Sequence, residues 1–233
     1  MKRFIVLIAC CFLIGKANAQ KDSTGFHIIS KAETDAFFSA SFKKKNLINY
    51  PIFRAYTYTD KSGNYYVALT ESADTTNTEK DTVNFTIKAF NFKADQSPIV
   101  KKWEINDFRL PNVKNEVKET SIWFWTKYCS FTDLDGDGLA DPVIVYGTFG
   151  HDGYSDGRVK ILTFYKGQKV AIRHQNSTLD PMRKMQVDAT FYALPKKIQD
   201  HTKQLMATMM EKKHALFPSS YLEKMEKKIA LIN

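Results

Sequence analysis

Phe131-Thr-Asp-Leu-Asp-Gly-Asp-Gly-Leu-Ala-Asp-Pro-Val-Ile-Val-Tyr-Gly147 sets four carboxylates, those of Asp133, Asp135, Asp137 and Asp141, around two glycines and then runs into an apolar segment. Four acids within nine residues repel one another unless something positive sits between them, and the spacing says what. In a calcium loop, side chains at positions 1, 3 and 5, a backbone carbonyl at 7 and often a water-bridged group at 9 supply oxygen ligands, with glycine at 6 for the sharp turn. Asp133, Asp135, Asp137, Gly138, Leu139 and Asp141 fill those places in order. The expected metal ligands are therefore Asp133, Asp135, Asp137, the Leu139 carbonyl and Asp141, and the expected ion is Ca²⁺. An EF-hand would add a bidentate Glu at position 12 between two helices, but here position 12 is Ile144 and the flanks SIWFWTKYCSFT and PVIVYGTF read as strands. A metal-free Asp/Gly turn is the competing reading.

Working outward, strands dominate. Ile52 to Thr59 and Tyr65 to Glu71 flank the turn Asp60 to Asn64, and Arg158 to Tyr165 and Lys169 to His174 flank Lys166-Gly167, with Val159, Ile161, Val170 and Ile172 on one parity. Val83, Phe85 and Ile87 alternate, while Phe90 and Phe92 take the other parity, so a bulge or bend is expected near Ala89. Ile99 to Ile105, Ile122 to Trp125 and Pro142 to Thr148 complete the strand set. Ser30-Lys-Ala-Glu33 is a capping box that predicts one helix over about Lys31 to Lys44. Pro195 opens a helix to about Leu216, and Ser220-x-x-Glu223 precedes Leu222, Met225, Ile229 and Ile232 at helical spacing. The expected fold class is α+β: an antiparallel sheet of seven or eight strands with one N-terminal and two C-terminal helices.

The first nineteen residues stand apart. Lys2 and Arg3, the apolar run Phe4 to Ile14 and the Ala17-Asn18-Ala19 cleavage pattern read as a signal peptide over 1–19, leaving 20–233 as one β-rich domain with C-terminal helices from about 195 to 233. A rival reading takes Leu7-Ile8-Ala9-Cys10 as a lipoprotein box acylated at Cys10. An exported location follows, whether periplasmic, surface-associated or secreted. Of three cysteines, only Cys129 lies beyond the signal, so no internal disulfide is open to the mature chain. The 34 basic residues fall to 31 when Lys2, Arg3 and Lys16 leave, against 25 acidic ones, a net charge of +6. They are scattered, which fits solvated faces and not a nucleic-acid groove.

The glycine-rich Gly147 to Gly157 loop holds His151, Asp152 and Asp156. An imidazole and two carboxylates there can serve as acid and base. The competing readings are a solvated turn, or extra calcium ligands, with Asp152 or Asp156 supplying the one missing at position 12 from a loop expected to lie near the calcium end. Arg173, His174, Gln175 and Asn176 are either a polar cluster able to grip a sugar hydroxyl or carboxylate or a strand terminus turning into solvent, and Trp103, Trp123 and Trp125 offer either a sugar platform or core packing. YTDKSGN (Tyr58 to Asn64) matches FTDLDGD (Phe131 to Asp137) in the order aromatic, Thr, Asp, x, Ser/Asp, Gly, Asn/Asp: a worn internal repeat, or two turns using the same residues. No P-loop, dinucleotide fingerprint, zinc spacing or G-x-S-x-G elbow is present.

The loop Asp133 to Asp141 resembles the DxDxDG calcium loops of FG-GAP-type repeats, although one good copy does not make a propeller. FTDLDGDGLADPVIVYG (Phe131 to Gly147), ILTFYKGQKVAIRHQNSTLD (Ile161 to Asp180) and VDATFYALPKKIQDHTKQLM (Val187 to Met206) together resemble a family of small exported bacterial proteins labelled surface polysaccharide biosynthesis. That resemblance implies a role in building or exporting the cell-surface glycan and supplies no catalytic residues. The expected function is an exported, Ca²⁺-stabilised, non-enzymatic binding protein whose partner is envelope polysaccharide or its assembly proteins. The alternative is a glycan-modifying enzyme using the acids of the loop His151 to Asp156.

Overall fold

The computed structural model describes residues 25–95, 97–110, 119–150 and 152–233. The signal segment, Cys10 and His151 lie outside them. The chain builds two antiparallel meanders in succession. The first half gives β1 (Phe26–Ile28), α1 (Lys31–Phe37), α2 (Ala40–Lys45), β2 (Ile52–Asp60), β3 (Gly63–Glu71), the short pair β4 (Thr75–Thr76) and β5 (Thr82–Val83), β6 (Thr86–Lys93) and β7 (Val100–Phe108). The second half gives β8 (Ser121–Phe124), β9 (Val143–Phe149), β10 (Arg158–Tyr165), β11 (Gln168–Gln175), β12 (Lys184–Val187), α3 (Lys196–Glu211), α4 (Tyr221–Glu226) and β13 (Leu231–Ile232). One sheet runs β1-β2-β3-β6-β7 and the other β13-β12-β11-β10-β9-β8, with β4-β5 a separate ribbon.

The α+β class and the antiparallel pairing agree with the sequence; the count does not. Thirteen strands in three sheets among the described residues replace seven or eight in one. The two large sheets face each other. Period-2 alternation sends Tyr56, Tyr58, Tyr65, Val67 and Leu69 of the first sheet and Ile144, Tyr146, Leu162 and Phe164 of the second into the layer between them. The opposite parity of each sheet is also covered. Ala68, Phe90 and Phe92 meet Phe38 beside α1 and α2, and Val145, Ile161, Val170 and Ile172 meet Ile198, Met206 and Met209 of α3. A helix layer on each outer face explains why β6 is apolar at both parities, and the bulge expected near Ala89 is the register shift between Asn91 and Phe92, where β7 holds the extra residue.

The expected N-terminal helix is two. Ser30 and Glu33 do form the capping box, but the helix stops at Phe38, which is fully buried, and Ser39 starts α2 by accepting the Phe42 N–H. The last predicted helix is also shorter. Helix α4 ends at Glu226, Lys228 takes φ 57°, and Ile232 pairs with Met185 in β13, leaving Leu222 and Ile229 exposed.

Candidate functional site

The loop between β8 and β9 is shaped by its own carboxylates. Gly136 and Gly138 adopt φ 88° and 83°, the left-handed region that side chains resist. Those turns aim successive N–H groups inward. Asp133 accepts from Gly136 (2.7 Å) and Asp137 (3.2 Å) on Oδ1 and from Gly138 (2.7 Å) on Oδ2; Asp135 accepts from Asp137 (3.0 Å), Asp137 from Leu139 (2.9 Å) and Asp141 from Leu134 (2.9 Å). The Asp141 N–H closes the base on the Thr132 carbonyl at 2.8 Å.

Three of the four acids converge: carboxylate oxygens of Asp133, Asp135 and Asp141 lie within 4.8 Å of one another. Asp137 stands apart, its Oδ2 3.1 Å from Lys166 Nζ in the β10–β11 turn. The Leu139 carbonyl accepts no hydrogen bond from the described residues. Asp141 is buried at 1% exposure, and that burial, with Asp135, Asp133 and Asp137 nearby and only the Leu134 N–H opposing, pushes its carboxyl up to about 6. Asp137 shifts the other way, held below the usual range by the Leu139 N–H and by Lys166 and Lys61. The donor set, all hard oxygen on a small glycine-turned loop, fits a hard divalent cation such as Ca²⁺.

Neighbouring elements grip this loop, which sequence reading missed. Asp60 of the β2–β3 turn accepts the Ala140 N–H at 3.0 Å, the Lys61 N–H meets the Gly138 carbonyl at 2.9 Å, and Lys61 Nζ bonds the Asp137 carbonyl. Lys197 at the start of α3 donates to the Asp135 carbonyl at 2.8 Å. The signal available for this was the likeness of YTD to FTD: the two turns touch, and Tyr58 stacks on Phe131 at 5.6 Å and 13°.

The other predicted ligands are elsewhere. Asp152 and Asp156 follow β9, whose seven residues at about 3.3 Å each set them roughly 20 Å from the loop that precedes it. The expectation that the glycine-rich loop lies at the calcium end is thus corrected, and Asp152 and Asp156 do not complete the cluster. They are engaged with each other: the Asp152 N–H donates to both Asp156 carboxylate oxygens at 3.1 Å. The Asp156 carboxylate is tucked so close to Gly150 that a Cβ there would lie 2.1 Å from it.

The polar cluster at the end of β11 is likewise wired inward. His174, 3% exposed, sets its ring nitrogens 3.1 Å from the Lys184 carbonyl and 2.9 Å from that of Leu216. Arg173 pairs with Asp188, Gln175 donates to the Asp156 carbonyl, and Asn176 donates to that of Tyr154. Trp125 is core at 4% exposure, Trp123 packs edge-on against Phe149 at 4.3 Å, and Trp103 stacks flat on Phe164 at 4.2 Å. Cys129 is buried and its thiol is pushed up to about 12, as suits an inert packing residue. Between the sheets, Glu119 pairs with Arg158 and Asp107 with Lys160 and Tyr146. The Asp107 contacts join β7 to β9 and β10, and both carboxylates are paired with basic side chains.

Comparison with protein-family models, with curated proteins and with solved structures finds no match.

Proposed function

We propose that this chain is an exported, calcium-stabilised binding protein that serves cell-surface polysaccharide assembly without catalysing a step itself. The observation that carries the calcium part is the convergence of Asp133, Asp135 and Asp141 at the left-handed Gly136 and Gly138. A buried carboxylate beside two others, with lysines contacting only the loop's rim, is costly unless a cation is shared among them. Bound Ca²⁺ would supply that charge. Asp133, Asp135 and Asp141 would hold it, with Leu139 offering a carbonyl. The loop joins β8 to β9 and is gripped by the β2–β3 turn and by α3, so ordering it ties both sheets and a helix together.

Support for the non-catalytic reading comes from the glycine-rich loop, where the Asp156 carboxylate is taken up by the loop's own Asp152 N–H. Support for the polysaccharide role comes from the resemblance of Phe131 to Gly147, Ile161 to Asp180 and Val187 to Met206 to surface polysaccharide biosynthesis proteins. Export rests on the signal pattern of residues 1–19. No helix among the described residues is long and apolar enough to cross a membrane.

The test pairs a melting curve with a phenotype. Chelation with EDTA should lower the melting temperature of the purified mature chain, and deletion of its gene should change the amount or length of surface polysaccharide, restored by the wild type and not by the Asp133→Ala, Asp135→Ala double variant. Melting indifferent to EDTA removes the calcium part. An unchanged glycan profile removes the polysaccharide part.

A further inference from the structure

The loop's other side walls a cleft that the sequence did not reveal. At the end of the sandwich carrying the β2–β3 turn, the calcium-loop residues Leu139 and Ala140 and the β10–β11 turn, the two sheets part to leave a cavity of about 430 Å³. That volume lies in the range of small-molecule sites, about 300 to 1,000 Å³. Its walls are aromatic and come from both sheets: Trp103 stacked on Phe164, and Tyr58 stacked on Tyr65 at 4.7 Å and 5°.

Three polar features single it out. Asn91 lines the cleft at 2% exposure; its Nδ2 donates to the Tyr58 hydroxyl at 2.8 Å, and its Oδ1 has no partner. Turning the amide over exchanges the atoms and still leaves one end unsatisfied, and an unmet buried polar group costs about 1–3 kcal/mol in general. Lys102 lines the cleft because it is the extra residue of the β7 bulge: Asn91 faces Trp103 and Phe92 faces Lys101, so Lys102 is left out of the ladder. Bulges of this kind re-aim a side chain and gather next to binding sites. Lys166 lines the same cleft from the β10–β11 turn, with Asp137 its one carboxylate among the described residues; Lys102 has none. A larger cavity of about 580 Å³ beside Trp123 and Phe149 lacks these features, since its Glu71, Asn84 and Ser121 are hydrogen-bonded to one another or to backbone.

We infer that the cleft between Trp103, Tyr65 and Leu139 binds a sugar acid: a hydroxylated ring whose apolar face lies on the aromatic walls, whose hydroxyl meets Asn91, and whose carboxylate meets Lys102 and Lys166. Aromatic surfaces take the C–H face of a sugar ring, a buried amide demands a hydrogen-bonding group, and a lysine without a carboxylate beside a second lysine on the same cleft favours an anion. A neutral sugar leaves Lys102 unanswered, and inorganic phosphate leaves the aromatic walls and Asn91 unanswered. This deepens the binding-protein reading and rests on its glycan part, not on its calcium part.

Calorimetric titration of the mature chain, in calcium-containing buffer at low ionic strength, tests it with D-glucuronate, D-glucose and inorganic phosphate as probes. Glucuronate should bind saturably and the other two at least about tenfold more weakly. The Lys102→Gln, Lys166→Gln variant, whose side chains lie at the cleft's exposed rim, should keep its near-ultraviolet circular dichroism and lose about tenfold in glucuronate affinity. Asn91→Leu should weaken glucuronate and glucose alike. Absence of saturable glucuronate binding, equal binding of phosphate, or glucuronate affinity unchanged in the folded lysine variant would overturn the assignment. Melting with and without EDTA on the same samples tests the calcium loop separately, so the two readings can fail independently.

Discussion

The loop that enters β9 and the loop that leaves it are both rich in glycine and acid, yet their carboxylates meet different fates. On the entering side Asp133, Asp135 and Asp141 point at one another, and the lysines nearby reach mainly backbone carbonyls or the outlying Asp137. On the leaving side Asp156 accepts the Asp152 N–H, and Gln175 and Asn176 hold the loop's carbonyls. Acid content is therefore a poor guide to metal chemistry by itself; what separates the ends is whether the carboxylates converge on one another. The entering end should respond to calcium and the leaving end to pH.

The largest effect belongs to the entering end. At a calcium concentration 100 times the dissociation constant, binding contributes about 2.7 kcal/mol, and for a chain of this size about 2–4 °C of melting temperature accompanies each kcal/mol. At that concentration, about 10 mM for a dissociation constant of about 10⁻⁴ M, the Asp133→Ala, Asp135→Ala variant should thus melt roughly 5–10 °C below the wild type, and EDTA should erase most of that gap. A gap that persists in EDTA would mean that the substitutions damage the turn and not an ion site.

Next comes pH, at the leaving end. Burial pushes the His174 imidazole from 6.5 down to about 4, although the Leu216 and Lys184 carbonyls favour its charged form. The unfolded chain takes up this proton near 6.5 and the folded chain only near 4, so the contribution is complete above pH 6.5 and is lost as pH falls toward 4. Between pH 7 and 5 this amounts to about 2 kcal/mol. Urea denaturation of His174→Gln at both pH values should show that much less pH dependence than the wild type, with calcium present throughout; an identical slope would acquit His174.

A smaller effect returns to the entering end. Gly138→Ala forces a side chain into φ 83° and brings its Cβ within 2.9 Å of the Lys61 side chain. It should cost about 1–2 kcal/mol, with a weaker calcium affinity, both read from melting curves at several calcium concentrations. The smallest effect is the control for the comparison: Asp152→Asn and Asp156→Asn should leave calcium affinity unchanged, because β9 separates them from the ion by about 20 Å. A tenfold loss in either would return the leaving loop to the metal.

Much of this was legible where one local rule acts alone. The hairpins β2–β3 and β10–β11 announce themselves through alternation and turn residues, and the capping box at Ser30 does form. What escaped is what depends on the other half of the chain. The other parity of Phe90 and Phe92 comes from helices that cover both sheets from outside, with the bulge beside it between Asn91 and Phe92. The N-terminal helix breaks at Phe38 because that ring is wanted in the core beside Phe92, a demand no local pattern carries. For the site, the convergence of Asp133, Asp135 and Asp141 follows the loop spacing, while the grip of Asp60 and Lys61 comes from more than seventy residues away. The expectation for Asp152 and Asp156 fails because nearness in sequence across a strand is distance in space.

Calorimetric titration of calcium into the metal-free mature chain tests the central claim most directly. One site per chain is predicted, with a dissociation constant of about 10⁻⁴ to 10⁻³ M, the range of extracellular modules, since no bidentate Glu stands at position 12. The heat should vanish in the Asp133→Ala, Asp135→Ala variant and persist in Asp156→Asn. No calcium-dependent heat in a folded wild-type sample, or the same heat in the Asp133→Ala, Asp135→Ala variant, would contradict the account.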